Sequence, residues 1–175
     1  MDEKKREAMM NAWMAAGTPG TPHELLGRMV GSWEVRGRMW MEGPEGPVSE
    51  SRGTVETRWL LPGLWVQDEV EMEMMGRPFR GYGVSGYDNL KKKYVAMWCD
   101  STSTALLTME GNLDAGGKTL ALFGVANDPV TGEQDKLMGY VTHFEDADHH
   151  RFEIRDYALS PEGVRTMELL YARKK

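Results

Sequence analysis

Between Trp33 and Arg173 the chain runs through ten short stretches in which apolar and polar residues alternate, each closed by a strong turn signal. The stretches are about 33–41, 51–61, 64–74, 79–87, 93–100, 105–113, 119–126, 134–144, 150–159 and 164–173. The turns between them include Gly43-Pro44-Glu45-Gly46-Pro47, Pro62-Gly63, Asp114-Ala115-Gly116-Gly117 and Ser160-Pro161-Glu162-Gly163. A period of two marks a half-buried strand, and connections this short leave no room for the crossover that parallel pairing requires. The pattern therefore predicts an antiparallel meander. A meander of this length must split into two sheets or close, because an open edge is a template for aggregation. The expected fold class is all-β: an antiparallel up-and-down barrel of about ten strands over residues 32–175, wider inside than an eight-stranded core and able to hold a small ligand.

Residues 1–31 read differently, as a helical segment expected to cap the barrel. Asp2 to Ala16 is rich in helix formers and puts Met9, Met10, Trp13 and Met14 on one stripe at spacings of three and four. Gly17-Thr18-Pro19-Gly20 breaks it. A second helix is expected with Thr21 as N-cap, Pro22 at its first position and Glu24 completing a capping box, running through Leu25, Leu26 and Met29 to Gly31 as a left-handed C-cap. The Met/Trp stripe suggests that the first helix covers a barrel mouth or docks on a second copy of the chain as a homodimer.

Turn positions set register, and register sets which face points inward. Pairing Leu61 with Leu64 across Pro62-Gly63 puts Val55, Thr57 and Trp59 beside Val66, Asp68, Val70 and Met72. Arg58 and Glu56 fall on the opposite face with Gln67, Glu69 and Glu71. Pairing Phe144 with Phe152, and Leu159 with Val164, extends the apolar face through Tyr140, Ile154, Asp156, Met167, Leu169 and Tyr171. Unpaired charges are costly to bury, so this face is expected inside. On that reading Trp59, Met72, Tyr140, Ile154, Met167 and Tyr171 line one enclosed space, with Asp68 and Asp156 among its few polar groups. A mostly apolar wall with a few polar groups suits a small hydrophobic or amphipathic ligand.

Composition narrows the partners. The formal net charge is -6, and basic runs such as Lys91-Lys92-Lys93 are no longer than three residues, so no concentrated basic surface for nucleic acid is expected. A lone cysteine, Cys99, cannot form a disulfide within the chain, which fits a reducing compartment. The N-terminus lacks the apolar core of a secretory signal, and no stretch reaches the length of a membrane span, so a soluble cytoplasmic protein is expected. The 14 methionines suit a surface that adapts to irregular apolar shapes.

Reactive chemistry is harder to find. His149 and His150 are adjacent and would point to opposite faces of a strand, so they cannot share a metal; beside a turn, they are expected to be solvated. A single axial histidine, His143, leaves a haem-binding barrel as one alternative. No Gly-rich phosphate loop or nucleophile elbow is present. No cofactor or metal is expected. An isomerase or hydrolase working in the cavity through Asp68, Asp100 or Asp156 with Tyr140 is a second alternative, while Asp88 and Asp128 read as turn residues.

Gly31-Ser32-Trp33 opens the first strand, and Tyr171-Ala172-Arg173 ends the last. This resembles the calycin arrangement of lipocalins and fatty-acid-binding proteins, in which a Gly-x-Trp closes one end and a basic residue of the last strand packs over the indole; here those residues are Trp33 and Arg173. His23-Glu24-Leu25-Leu26, Gly86-Tyr87-Asp88, Lys92-Lys93-Tyr94, Trp98-x-Asp100-Ser101, Asp128-Pro129-x-Thr131-Gly132 and Met167-Glu168 carry a closer likeness over nearly the whole chain. Together they resemble the bacterial "domain of unknown function 1579" family. The resemblance implies a calycin-like barrel and no reaction. It adds Trp98 and Asp100 to the candidate ligand-binding residues. The polar residues Gln67, Trp98, Asp100 and Glu168 do not all fall on the face read as inward; if they point in, the cavity is more polar than the pattern implies.

Overall fold

The computed structural model describes residues 2–175; Met1, the first residue of the N-terminal segment, lies outside the described residues. Two helices, α1 (Glu3–Ala16) and α2 (Thr21–Met29), precede ten strands. The strands are β1 (Gly31–Trp40), β2 (Val48–Leu61), β3 (Trp65–Met74), β4 (Arg77–Asp88), β5 (Lys93–Asp100), β6 (Leu107–Leu113), β7 (Thr119–Ala126), β8 (Lys136–Phe144), β9 (His149–Asp156) and β10 (Val164–Arg173). Each strand pairs antiparallel with its neighbours in sequence, and β1 pairs with β10 to close the barrel. Closure removes every edge that a ten-strand meander would leave open.

The turn residues act as their chemistry requires. Asp88 accepts from the backbone N–H groups of Leu90 and Lys91, and Asp128 from those of Val130 and Thr131. Across Pro62-Gly63 the register is the expected one, Trp59 opposite Val66 and Thr57 opposite Asp68, with a bulge between Trp59 and Leu61. Later in the chain the register differs from expectation by two or three residues. Phe144 faces His150 rather than Phe152, because β9 begins at His149 and the preceding turn is tighter. Val164 faces Asp156 rather than Leu159, a slip of three, which a bulge at Thr166 reduces to two by setting Met167 opposite Ile154. A slip of two leaves β9, and past the bulge Met167, Leu169 and Tyr171, on the expected face.

One end of the barrel is plugged. Helix α2 buries His23, Leu25 and Leu26 against Val66, Tyr94, Leu120, Leu122, Tyr140 and Phe144. The Tyr94 hydroxyl donates to the Pro22 carbonyl at 2.8 Å and ties the helix to β5. The helix starts one residue earlier than its sequence signals suggest. Gly20 is the N-cap, and its N–H donates to His23 Nδ1 at 3.0 Å, so His23 rather than Glu24 reaches back to the cap. Val30 is the C-cap, which leaves Gly31 as the first residue of β1.

Beside this plug, Trp33 is 1% exposed, and the Arg173 guanidinium lies 4.1 Å from its ring centroid. Arg173 also donates to the carbonyls of Val30, Arg28 and Ala147. Gly31 has φ +145°, and a Cβ there would collide with that guanidinium, so a residue without a side chain is required. This is the end closure that the calycin resemblance implies.

Helix α1 contradicts the expectation that it covers a mouth. None of its residues is buried, and Met9, Met10, Trp13 and Met14 are all exposed. Met9, Met10, Trp13 and Met14 leave their surface in solvent, and the junction after the helix is tied down where the Asn89 amide donates to the Ala16 and Thr18 carbonyls. No helix among the described residues is long and apolar enough to cross a membrane.

On the outer face, Glu153 and Glu168 sit opposite each other on β9 and β10 and are 1% and 2% exposed. Arg151, Arg155 and Arg165 contact Glu153, while Arg38 and Arg165 contact Glu168. Arg165 in turn lies over Trp40. Burial alone would raise the Glu153 carboxyl, but the surrounding guanidiniums outweigh it and hold it below its ordinary value. Glu168 therefore points outward, and it is buried under arginines rather than in the cavity.

Candidate functional site: the barrel interior

Because neighbouring strands exchange faces in register, the inner wall can be read around the barrel. Trp33 and Val35 on β1 lead to Val55, Thr57 and Trp59 on β2, then to Val66, Asp68, Val70 and Met72 on β3. The wall continues across Gly81 and Gly83 of β4 to Trp98 and Asp100 of β5. It returns through Met138 and Tyr140 on β8, His150, Phe152 and Ile154 on β9, and Met167, Leu169 and Tyr171 on β10. All of the candidate ligand-binding residues thus sit on one wall. Trp98 and Asp100 point in; Gln67 and Glu168 point out.

Packing divides this wall. Trp33, Val35, Val55, Val70, Met72 and Phe79 are a buried cluster, and Tyr140 belongs to the buried cluster under α2. Met72 and Tyr140 are therefore packing residues first. By contrast, Trp59, Asp68, Trp98, Asp100, Met138, Ile154, Met167 and Tyr171 point inward and yet are only half-buried. Of these, Trp59, Met138 and Ile154 pack against the cluster under α2, and Trp98 and Tyr171 against the other.

Asp68 is the central polar group. Thr57 Oγ1 donates to Asp68 Oδ1 at 2.6 Å, a cross-strand contact set by the β2–β3 register. Protein surrounds the carboxyl, and this burial pushes it up to about 6 despite the opposing Thr57 hydrogen bond. Trp98 Nε1 donates to Asp100 Oδ2 at 2.9 Å, while Asp100 Oδ1 accepts from the Thr102 N–H and hydroxyl. A Cβ at Gly81 would overlap the Trp98 ring, and one at Gly83 would come within 3.3 Å of it, so these glycines let the indole lie flat against β4.

Asp156 faces inward at the mouth, where Lys136 Nζ is 2.7 Å from Asp156 Oδ2 and 3.1 Å from Asp128 Oδ2. It is 2% exposed and its charge is matched. The side chains of Asp68, Asp100 and Asp156 are hydrogen-bonded to Thr57, to Trp98 and Thr102, and to the Ala158 N–H respectively, not to one another.

The histidines correct the sequence reading. His143 points outward, 3.9 Å from Glu153, and presents no axial ligand to the interior. His150, expected in solvent, is 8% exposed on the inner wall. It stacks on Tyr171 at 4.2 Å and meets the Trp33 ring edge-on at 4.5 Å. Burial, and secondarily Arg173, lowers it to about 4, so it is neutral at pH 7. Burial, and secondarily Asp68, holds the Tyr171 phenol above its ordinary value. The signal available in the sequence was the alternation itself: His150, Phe152 and Ile154 share one parity.

A family model described as "Protein of unknown function (DUF1579)" matches residues 18–173, which leaves α1 outside. No curated protein matches the chain in sequence. Among solved structures, Rv2717c from M. tuberculosis superposes with a TM-score of 0.65 at 12% identity, over 90% of this chain and 100% of that one. The S-type phycobiliprotein lyase CPES from Guillardia theta does so with a TM-score of 0.59 at 13% identity, over 93% and 96%. At these identities the likeness lies in the fold.

Proposed function

We propose, from the premise that the chain belongs to the DUF1579 family and inherits from it a fold without a named activity, that the barrel reversibly binds a small hydrophobic or amphipathic molecule in its interior. The observation that carries this reading is the half-buried state of inward side chains in a closed barrel. A fully packed core would bury them, since protein interiors are as dense as organic crystals. Trp59, Asp68, Trp98, Asp100, Ile154, Met167 and Tyr171 are the residues that meet the ligand, with Met138 extending the apolar wall. Asp156 stands at the mouth. The similarity in fold to a phycobiliprotein lyase supports a barrel that handles a small molecule. A single cysteine fits action in a reducing cytoplasm.

The test is a titration of the purified protein with an environment-sensitive apolar dye, repeated with Ile154→Trp. Saturable binding at one site, weakened at least tenfold by the bulkier side chain, supports the container. Absence of binding to either protein refutes it.

A second reading concerns α1. Its exposed Met9, Met10, Trp13 and Met14, together with exposed Met97, Phe123, Val125 and Leu137 on the outer wall, favour contact with a second copy of the chain. Sedimentation should then show a dimer that Trp13→Ala weakens; a monomer at every concentration removes this reading.

A further inference from the structure

Resting on the container reading, the charge arrangement inside the barrel specifies the ligand further. Three basic residues occupy inward strand positions among those described: Lys136 and Arg173, which are both engaged, and Arg77, exposed at the start of β4 and six residues along that strand from Gly83, the partner of Asp68. Lys136 is held between Asp156 and Asp128 at the mouth. Arg173 lies over Trp33 at the plugged end and spends its donors on backbone carbonyls. Neither faces Asp68. That carboxylate has one hydrogen bond, from Thr57 to Oδ1, and no ion pair.

The second oxygen has a defined surrounding. A Cβ built on Gly83 would lie 3.2 Å from Asp68 Oδ2 and 3.3 Å from Trp98 Cε3, so the carboxylate and the indole border the same small volume over a glycine. Asp100 holds the indole by its N–H, and Phe79 stacks near-parallel to it at 6.5 Å. A fixed aromatic surface beside an unpaired carboxylate attracts a cation by both charge and ring quadrupole. An anionic head group at this spot would instead face Asp68 and Asp100, with Arg77 at the far end of β4 and Lys136 and Arg173 engaged elsewhere.

We infer that the interior takes a cationic amphiphile, a protonated amine or quaternary ammonium whose head sits between Asp68 and Trp98 and whose apolar chain runs along Ile154 and Met167. This reverses the charge selectivity of a barrel built for fatty acids. Ionisation of Asp68 is then part of binding. Of the other inner-wall groups, His150 stays neutral within pH 5–8, Tyr94, Tyr140 and Tyr171 are held above their ordinary values, and Asp156 faces Lys136. Asp100 already accepts from Trp98 and Thr102.

Three probes of equal chain length separate the possibilities: dodecyltrimethylammonium, dodecanol and dodecanoate, each below its micelle concentration at fixed ionic strength. Dye displacement should rank the ammonium at least about tenfold tighter than the alcohol, and dodecanoate weakest. Asp68→Asn should collapse the margin between ammonium and alcohol, with folding checked by near-ultraviolet circular dichroism. For the unmodified protein, ammonium affinity should fall about tenfold from pH 7 to pH 5 as Asp68 takes up a proton, since its carboxyl titrates near 6. Dodecanoate binding as tightly as the ammonium, or a margin that survives Asp68→Asn, overturns the inference while leaving the container intact. Failure of all three probes overturns the container itself.

Discussion

Asp68 and Trp33 show how single residues divide the work between stability and site. Asp68 titrates at about 6 in the folded chain against 3.8 unfolded. A carboxyl raised on folding stabilises fully below its unfolded value and loses that contribution as pH rises through the folded one. At pH 7 the loss is complete. Asp68→Asn keeps an acceptor for Thr57 and removes the charge, so it should raise unfolding stability at pH 7 by up to about 3 kcal/mol. Urea denaturation would show this as a higher midpoint; an unchanged or lower midpoint contradicts it. A site residue whose removal stabilises the fold is retained for something other than folding. Trp33 is the opposite case. It is buried under Arg173, and its Nε1 donates to the Met29 carbonyl at 2.9 Å. Trp33→Ala should cost roughly 3–5 kcal/mol, read from the same denaturation curves.

Among the elements, the strands were legible and the ends were not. Alternation and turn chemistry located all ten strands within a few residues, because each strand has one wet and one dry face and its turns need Gly, Pro, Asn or Asp. Asp68, Ile154 and Tyr171 could be placed inside for the same reason. Even the two-residue slip at His150 kept their faces, since parity survives an even shift. Tertiary contacts are written less clearly. That α2 plugs the barrel while α1 stands off depends on where the helices are led by the Gly17–Gly20 break, and a Met/Trp stripe looks the same in either role. Glu153 and Glu168 lie on the outer face, yet arginines of their own and neighbouring strands bury them. For α2 the consequence is measurable. Leu26 is 1% exposed within the plug, so Leu26→Ala should cost about 2–5 kcal/mol. If the plug seals the interior, the same change should speed dye exchange in stopped-flow mixing, whereas an unchanged rate would mean that ligand passes only through the opposite mouth.

At the scale of the whole molecule, two inner-wall groups titrate against each other. His150 titrates near 4 in the folded barrel and 6.5 when unfolded. A group lowered on folding contributes fully above its unfolded value, and the contribution is lost as pH falls toward the folded one. His150 therefore withdraws up to about 3 kcal/mol between pH 6.5 and 4. Asp68 restores a similar amount as it protonates between pH 6 and 4, with the opposite sign. The intact protein should show nearly level stability across pH 6 to 4.5, because one buried group gains a proton with relief while unfolding is needed to give the other one its own. Removing either group should expose the slope that it had cancelled. Asp68→Asn should lose stability steadily as pH falls through this window. His150→Phe, which keeps a ring between Tyr171 and Trp33, should gain stability over the same interval. Thermal unfolding of the three proteins at half-unit pH steps decides it: parallel curves would mean that neither group is buried in the way that the barrel interior requires.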